Sequence, residues 1–121
     1  MEKLTQSEEE AMQVLWKLDG GFTKDVLELL PEPRPPYTTL ASTIRNLERK
    51  GYLRAEKLGN SFRYSPLIKA EDYRKQFMSA FVGDYFRNSY KELVAFFAKE
   101  EKISAAELQD IIRMIESGKS E

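Results

Sequence analysis

The side chains best suited to binding a charged polymer lie within residues 37–51, YTTLASTIRNLERKG. With successive residues about 100° apart, a helix over this stretch gathers short hydroxyls and longer cations on one face. The members of that face are Thr38, Ser42, Arg45 and Arg49. Short polar groups near the start of a helix can reach base edges in a DNA groove, and cations further along can reach phosphates. The alternative interpretation is an ordinary amphipathic helix whose polar face is solvated.

The opposite face of the same helix is apolar. Leu40, Ile44 and Leu47 follow one another at i, i+4 and i+7, the spacing of a buried helical stripe. Gly51 supplies the left-handed residue that ends many helices. The stretch is therefore predicted to be a helix that packs on a core and presents its polar side outward.

Positive charge is concentrated around this helix, although the chain of 121 residues has a net charge of -1. Residues 1–33 carry a net charge of -5, residues 34–69 carry +6, and residues 70–121 carry -2. Local asymmetry of this kind is typical of a DNA-facing surface on an otherwise neutral protein.

Cysteine and histidine are both absent. Their absence removes the thiolate nucleophile, the usual metal ligands and the usual general base at neutral pH. Adjacent carboxylates such as Glu71 and Asp72 point in different directions on a helix, and charges at a helix start are the simpler interpretation. No apolar run approaches the roughly 20 residues of a membrane span, and the start MEKLTQSEEE does not resemble a signal peptide. We therefore expect a cytoplasmic protein without cofactor, metal or membrane insertion, and not an enzyme.

The elements around residues 37–51 are predicted to position that helix. A capping box at Thr5–Glu8 begins a first helix. Thr23 is expected to cap a short second helix, which the prolines of residues 31–36 bring to an end. Residues 52–65 alternate as a two-stranded hairpin around a turn. Three helices followed by a hairpin predict a winged helix-turn-helix domain over residues 1–69.

The turn of this hairpin would form the tip of the wing. It reads GNSFR, and Asn60 and Arg63 are its candidate contacts to phosphates or the minor groove. For Arg63, a solvated hairpin arginine is the alternative.

Residues 70–121 return to helical periodicity and are predicted to form a dimerisation region. Their apolar positions are too numerous for isolated helices in water, and the segment is too short to close a good core alone. The candidate dimerisation residues are Tyr73, Phe77, Phe81, Tyr85, Leu93, Phe97, Leu108, Ile111, Ile112 and Ile115. A twofold dimer would place two reading helices roughly 34 Å apart, one turn of DNA. The competing possibility is that these helices fold back on the first three helices of the same chain.

Four segments in order carry a resemblance to a known family. They are LTQSEEEAMQVLWK at 4–17, TKDVLELLPE at 23–32, YTTLASTIRNLERKGYLR at 37–54 and SFRYSPLIKAEDY at 61–73. Across essentially its whole length the chain resembles the penicillinase-repressor family, which includes BlaI, MecI and CopY. The resemblance implies a winged-helix repressor that dimerises through C-terminal helices and binds a palindromic operator. It also implies base contacts at Thr38, Thr39 and Ser42.

The chain departs from the family pattern at two points. The CopY branch senses metal through a C-terminal cysteine cluster, and this chain has no cysteine. In β-lactam-responsive members, a membrane-linked sensor leads to cleavage of the dimerisation arm at an Asn-Phe bond. The similar bond here is Phe96–Phe97, with Phe96 at the asparagine position. Induction by proteolysis is therefore a hypothesis with an altered cleavage site.

The combined prediction is a mainly α (α+β) protein: a winged helix-turn-helix with a two-stranded wing and a C-terminal helical dimerisation arm. Its partners would be a double-stranded DNA operator and a second copy of the chain. Thr38, Thr39 and Ser42 would read bases. The predicted backbone contacts are Arg45, Asn46, Arg49, Asn60 and Arg63. The alternatives are a ligand-responsive winged-helix regulator and a protein-interaction adaptor that does not bind DNA.

Overall fold

Residues 2–118 are described by the computed structural model, and within them six helices and three short strands occur. The elements in chain order are α1 (Gln6–Leu18), β1 (Gly21–Phe22), α2 (Thr23–Leu29), α3 (Tyr37–Arg49), β2 (Leu53–Leu58), β3 (Ser61–Pro66), α4 (Ala70–Phe86), α5 (Tyr90–Lys99) and α6 (Ala105–Glu116). The chain divides between Arg74 and Lys75 into two compact units. Within the described range, no helix is both long enough and apolar enough to cross a bilayer.

Helix α1 begins at the capping box that its sequence predicts. Thr5 Oγ1 accepts a hydrogen bond from the Glu8 N–H at 3.2 Å, and Glu8 Oε1 accepts one from the Thr5 N–H at 2.9 Å. The helix ends at Asp19 in the left-handed region, where the Gly20 N–H donates to the Leu15 carbonyl oxygen at 2.9 Å. These bonds satisfy backbone groups that an uncapped helix leaves unpaired.

The start of α2 differs from the sequence-based prediction. The sequence predicts Thr23 at the cap, but Thr23 is the first helical residue and Phe22 occupies the N-cap position. The carboxylate of Asp25 accepts a hydrogen bond from the Phe22 N–H at 3.0 Å. The cap is therefore supplied from inside the helix, and Thr23 is buried.

Helix α3 has the two faces that its periodicity predicts. Leu40, Ile44 and Leu47 are buried in the core. Gly51 has a φ of 89°. The Gly51 N–H donates to the Glu48 carbonyl oxygen, and the Tyr52 N–H donates to the Leu47 carbonyl oxygen. This pair of bonds is the Schellman arrangement that ends a helix sharply.

The wing is part of a three-stranded antiparallel sheet with the order β1-β3-β2. The hairpin pairs Ala55 with Tyr64, and β1 adds Gly21 opposite Tyr64 on the other side of β3. The predicted winged-helix fold is confirmed, with this extra strand. The core lies among α1, α2, α3 and the base of the sheet. Its members include Met12, Leu15, Val26, Ile44, Leu47, Tyr52 and Leu53.

The first turn of α4 belongs to the first unit because of Tyr73. The Tyr73 ring lies 5.4 Å from the Trp16 ring and 6.0 Å from the Tyr52 ring, and its hydroxyl donates to a carboxylate oxygen of Glu9. The division between units therefore falls beyond the expected boundary of residues 69 and 70. Tyr73, expected in the dimerisation region, instead packs on the winged-helix core.

The second unit contains the rest of α4 together with α5 and α6. Ser89 and Ser104 are the N-cap residues of α5 and α6, and their hydroxyls accept hydrogen bonds from the Glu92 and Glu107 N–H groups. Val82 is the single fully buried large apolar side chain among the described residues of this unit, and Ile115 is 72% exposed. Helical spacing predicts a buried stripe in α6 formed by Leu108, Ile111, Ile112 and Ile115, but the three isoleucines are exposed in the single chain. The last residues of the expected region, 119–121, lie outside the described part of the protein.

Candidate nucleic-acid interface

The outward face of α3 is the centre of the candidate interface. Thr38, Thr39 and Ser42 are all exposed there, and we call this set the reading face. Pro36 is the N-cap residue and has no side-chain acceptor to offer. The side chain of Pro36 therefore does not cap the first turn of α3, which lies near the reading face and where the helix dipole favours negative charge.

Further along α3, the polar side chains become longer and cationic. Arg45, Asn46 and Arg49 are exposed. One guanidinium nitrogen of Arg49, Nη2, donates to Asn46 Oδ1 at 3.3 Å, so these two side chains lie together on the surface. The order along the helix is thus small hydroxyls first and cations later, as the sequence predicts.

The two wing residues expected to contact DNA have different surroundings. Asn60 is exposed in the turn of the hairpin. Arg63 is half-buried, and its guanidinium donates to Ser65 Oγ at 2.9 Å and to the Asp19 carbonyl oxygen at 3.2 Å. The bond to Asp19 joins β3 to the end of α1, so Arg63 has a structural role that its position in the hairpin did not predict.

Lys50, one of the cations in the positively charged residues 34–69, binds groups of the protein itself. Lys50 Nζ lies 2.7 Å from Glu8 Oε1 and also donates to the Lys3 carbonyl oxygen at 3.1 Å. Burial raises the pKa of Glu8, but hydrogen bonds from Lys50 and the Thr5 amide, with the attraction of Lys50, bring that pKa below its ordinary value. The pair fixes the end of α3 against the start of α1.

A groove of about 530 Å³ lies between α3 and the wing. The side chains that matter for its chemistry are Lys24, Tyr37, Arg45, Leu58, Asn60 and Phe62. Tyr37 and Phe62 are about half exposed, and the described lining residues include no carboxylate. Of these six residues, the sequence pattern identifies only Arg45 and Asn60 as candidate contacts. The other four come from four separate elements, α2, α3, β2 and β3, which only the fold brings together.

The candidate dimerisation and cleavage residues lie in the second unit, apart from Tyr73. Rings within it lie close together along α4, with centroids 6.3 Å apart for the stacked pair Phe77 and Phe81 and 4.9 Å apart for the tilted pair Phe81 and Tyr85. Phe96 and Phe97 both belong to α5, so the peptide bond between them lies inside a helix. Both side chains are exposed. The remaining predicted positions are Leu93, Leu108, Ile111, Ile112 and Ile115, of which the three isoleucines are exposed.

Three helices, a hairpin and an outward polar face on the third helix define a winged helix-turn-helix protein. The family model described as penicillinase repressor matches residues 4–117, and the chain belongs to this family. The resemblance inferred from the four sequence segments is confirmed.

Characterised relatives cover nearly the whole chain. The penicillinase repressor of Bacillus licheniformis is 24% identical over 119 residues, which span 98% of this chain and 93% of the relative. The methicillin resistance regulatory protein MecI of Mammaliicoccus sciuri is 21% identical over 110 residues, which span 90% of this chain and 89% of the relative.

Two solved structures are similar to the winged-helix part. The Bacillus licheniformis BlaI monomeric form in complex with the blaP half-operator has a TM-score of 0.50 and 30% identity, covering 60% of this chain and 89% of that one. The DNA-binding domain of the repressor BlaI also gives a TM-score of 0.50, with 32% identity and coverage of 60% and 94%.

Proposed function

We propose that this protein is a DNA-binding transcriptional repressor, that it acts in the cytoplasm, and that it binds a palindromic operator as a homodimer. The observation that carries the proposal is the exposed reading face of α3, followed along the same helix by Arg45 and Arg49. Short hydroxyls would contact base edges in the major groove, and the cations would contact phosphates on either side. Asn46 and Asn60 are the further proposed backbone contacts.

The homodimer is supported by the apolar surface of the second unit. Ile111, Ile112 and Ile115 are 44%, 44% and 72% exposed in the single chain. Monomeric proteins seldom expose a large contiguous apolar surface. Contact with a partner removes such a surface from water, which is favourable. A second copy offers the same surface in return, and twofold pairing matches a palindromic site.

Inactivation by proteolysis is the regulatory part of the proposal. A sensor protease that cut Phe96–Phe97 would separate α6 from the remainder of the chain and remove much of the dimer surface. Loss of the second half-site would then lower the operator affinity. Because the bond lies inside α5, part of that helix must open before a protease can reach it. A cleavage-resistant variant that still responds to the inducing signal would contradict this regulation.

The first experiment measures binding to the DNA just upstream of the protein's own gene, at two salt concentrations, beside a random duplex of equal length. Affinity should fall steeply as salt rises, since cations on the protein displace counterions from phosphates. Preference for the upstream DNA supports the repressor. Failure to bind either duplex at low salt would overturn the proposal and favour a protein-interaction adaptor.

A further inference from the structure

We propose that the groove between α3 and the wing holds the sugar-phosphate chain of one DNA strand, with Lys24 contacting a phosphate and Phe62 packing on deoxyribose. This inference rests on the proposed function and extends it to two residues outside the reading face. It predicts that the start of α2 and the inner side of the wing contribute directly to operator affinity.

The lining of the groove matches the alternating chemistry of a DNA strand. Lys24 and Arg45 supply positive charge, and the described lining residues include no carboxylate. Leu58, Tyr37 and Phe62 supply apolar surface, and they are 44%, 52% and 47% exposed. Phosphates seek the cations, whereas the carbon faces of deoxyribose gain by leaving water against apolar side chains.

The groove is continuous with the surface already proposed to bind DNA. Arg45 belongs both to the outward side of α3 and to the lining of the groove, and Asn60 lines it from the tip of the wing. A duplex whose major groove receives the reading face must extend a strand past these two residues. The groove is therefore the adjacent space into which that strand can pass.

Phe62 lies on the inner side of the wing, beyond the part of the sheet that the core covers. Phe62 precedes Tyr64 by two residues on β3, so both side chains lie on the same side of the sheet. Tyr64 is 7% exposed, whereas Phe62, paired with Lys57 nearer the turn, is 47% exposed. The inner side of the wing thus continues past the edge of the core with an aromatic ring that the chain itself only half covers.

The decisive experiment compares the operator affinity of two variants over a range of salt concentrations. Phe62→Ala should weaken binding by about tenfold without changing the salt dependence, because it removes apolar contact and no charge. Lys24→Ala should weaken binding and reduce the slope of log K against log salt by about 0.9, the effect of one phosphate contact. Matched controls are Leu67→Ala and Lys17→Ala, since both residues are exposed and lie outside the groove.

A second measurement uses the unmodified protein, so its result does not depend on whether the variants fold. In the full-length protein, the ring signals of Phe62 should shift when the operator duplex is added, and those of Tyr90, an exposed ring on α5, should shift less. If wild-type protein binds the operator but both groove variants bind equally well and the Phe62 signals do not move, the inference is wrong while the proposed function stands. If the wild-type protein binds no DNA, the proposed function itself fails.

Discussion

Lys50 and Glu8, which are 42 residues apart in the chain, form a buried ion pair with 2.7 Å between Nζ and Oε1. Lys50 is the residue that follows α3, and Glu8 lies in the first turn of α1. The pair therefore holds the end of the candidate DNA-contacting helix to the start of the helix beneath it. Removal of either charge would leave the other buried without its partner, which is the costly arrangement.

Acid stability should depend on this pair. The folded-state pKa of Glu8 lies below the ordinary value of 4.5, so its stabilisation is complete above that value and is lost as pH falls through the lower folded-state pKa. Glu8→Gln keeps a capping-box side chain but removes the charge, and it should lower the free energy of unfolding by about 2 kcal/mol at pH 7. Urea unfolding at pH 7 and pH 3 should show a smaller pH effect in Glu8→Gln than in the wild type. An unchanged pH dependence would contradict the assignment, and Glu10→Gln, an exposed carboxylate on the same helix, is the control.

Gly20 should not tolerate a side chain. Its φ is 101°, and a methyl group there would lie 2.8 Å from Arg63 Nη1 and 2.9 Å from the Tyr64 carbonyl oxygen. Gly20→Ala should therefore reduce the free energy of unfolding by about 2 kcal/mol or more. Gly59→Ala is the matched control, because Gly59 also has a positive φ of 65° but no atom of the described residues lies within 4 Å of the added methyl. Its cost should be about 1 kcal/mol, and equal losses in thermal unfolding would contradict the close contact at Gly20.

Thr39→Ala should alter sequence preference more than overall affinity, since it removes a base contact and no charge. The measurement is competition among operator duplexes that differ by single base pairs. Thr43→Ala is the control on the same helix, because the Thr43 hydroxyl is half-buried and donates to the Thr39 carbonyl oxygen at 3.1 Å. If Thr39→Ala leaves operator choice and affinity untouched, the reading face is misassigned.

Arg49→Ala should weaken binding to operator and random DNA by similar factors. A phosphate contact carries no sequence information, and its loss should reduce the salt slope by about 0.9. Arg74→Ala, an exposed arginine outside α3, should leave both quantities as in the wild type. A loss confined to the operator would instead place Arg49 on a base.

Ile115→Glu should weaken the proposed homodimer by at least about tenfold, because burial of an unpaired carboxylate in an apolar interface is unfavourable. Sedimentation over a range of concentrations measures the shift toward monomer, and circular dichroism checks that the helices are retained. Gln109→Glu adds the same charge at an exposed polar position of α6 and should dimerise normally. A wild-type protein that remains monomeric throughout would contradict the proposed homodimer.

Local patterns predicted the elements of the first unit well. The apolar spacing of Leu40, Ile44 and Leu47 located α3, and Gly51 located its end, because both signals operate within a few residues. The short strand β1 has no periodicity to detect, since it consists of two residues. It exists because β3 offers a free edge beside it.

Contacts between distant parts of the chain were beyond a local pattern. Tyr73 fits the four-residue spacing of the aromatic residues along α4, yet tertiary packing places its ring against Trp16 and Tyr52. Similarly, nothing near Lys50 in the sequence distinguishes its buried ammonium from the exposed guanidinium of Arg49. The groove has the same origin, because α2, α3 and the wing each contribute residues to it.

Within residues 2–118, the order β1-β3-β2 leaves one side of β2 without a neighbouring strand. Such an edge can recruit a strand from another molecule and start sheet-like aggregation. Along β2, Arg54, Glu56 and Lys57 are exposed, so an incoming strand would have to approach a row of charges. The wing can therefore project from the protein as a thin hairpin and still resist joining, edge to edge, with the wings of other molecules.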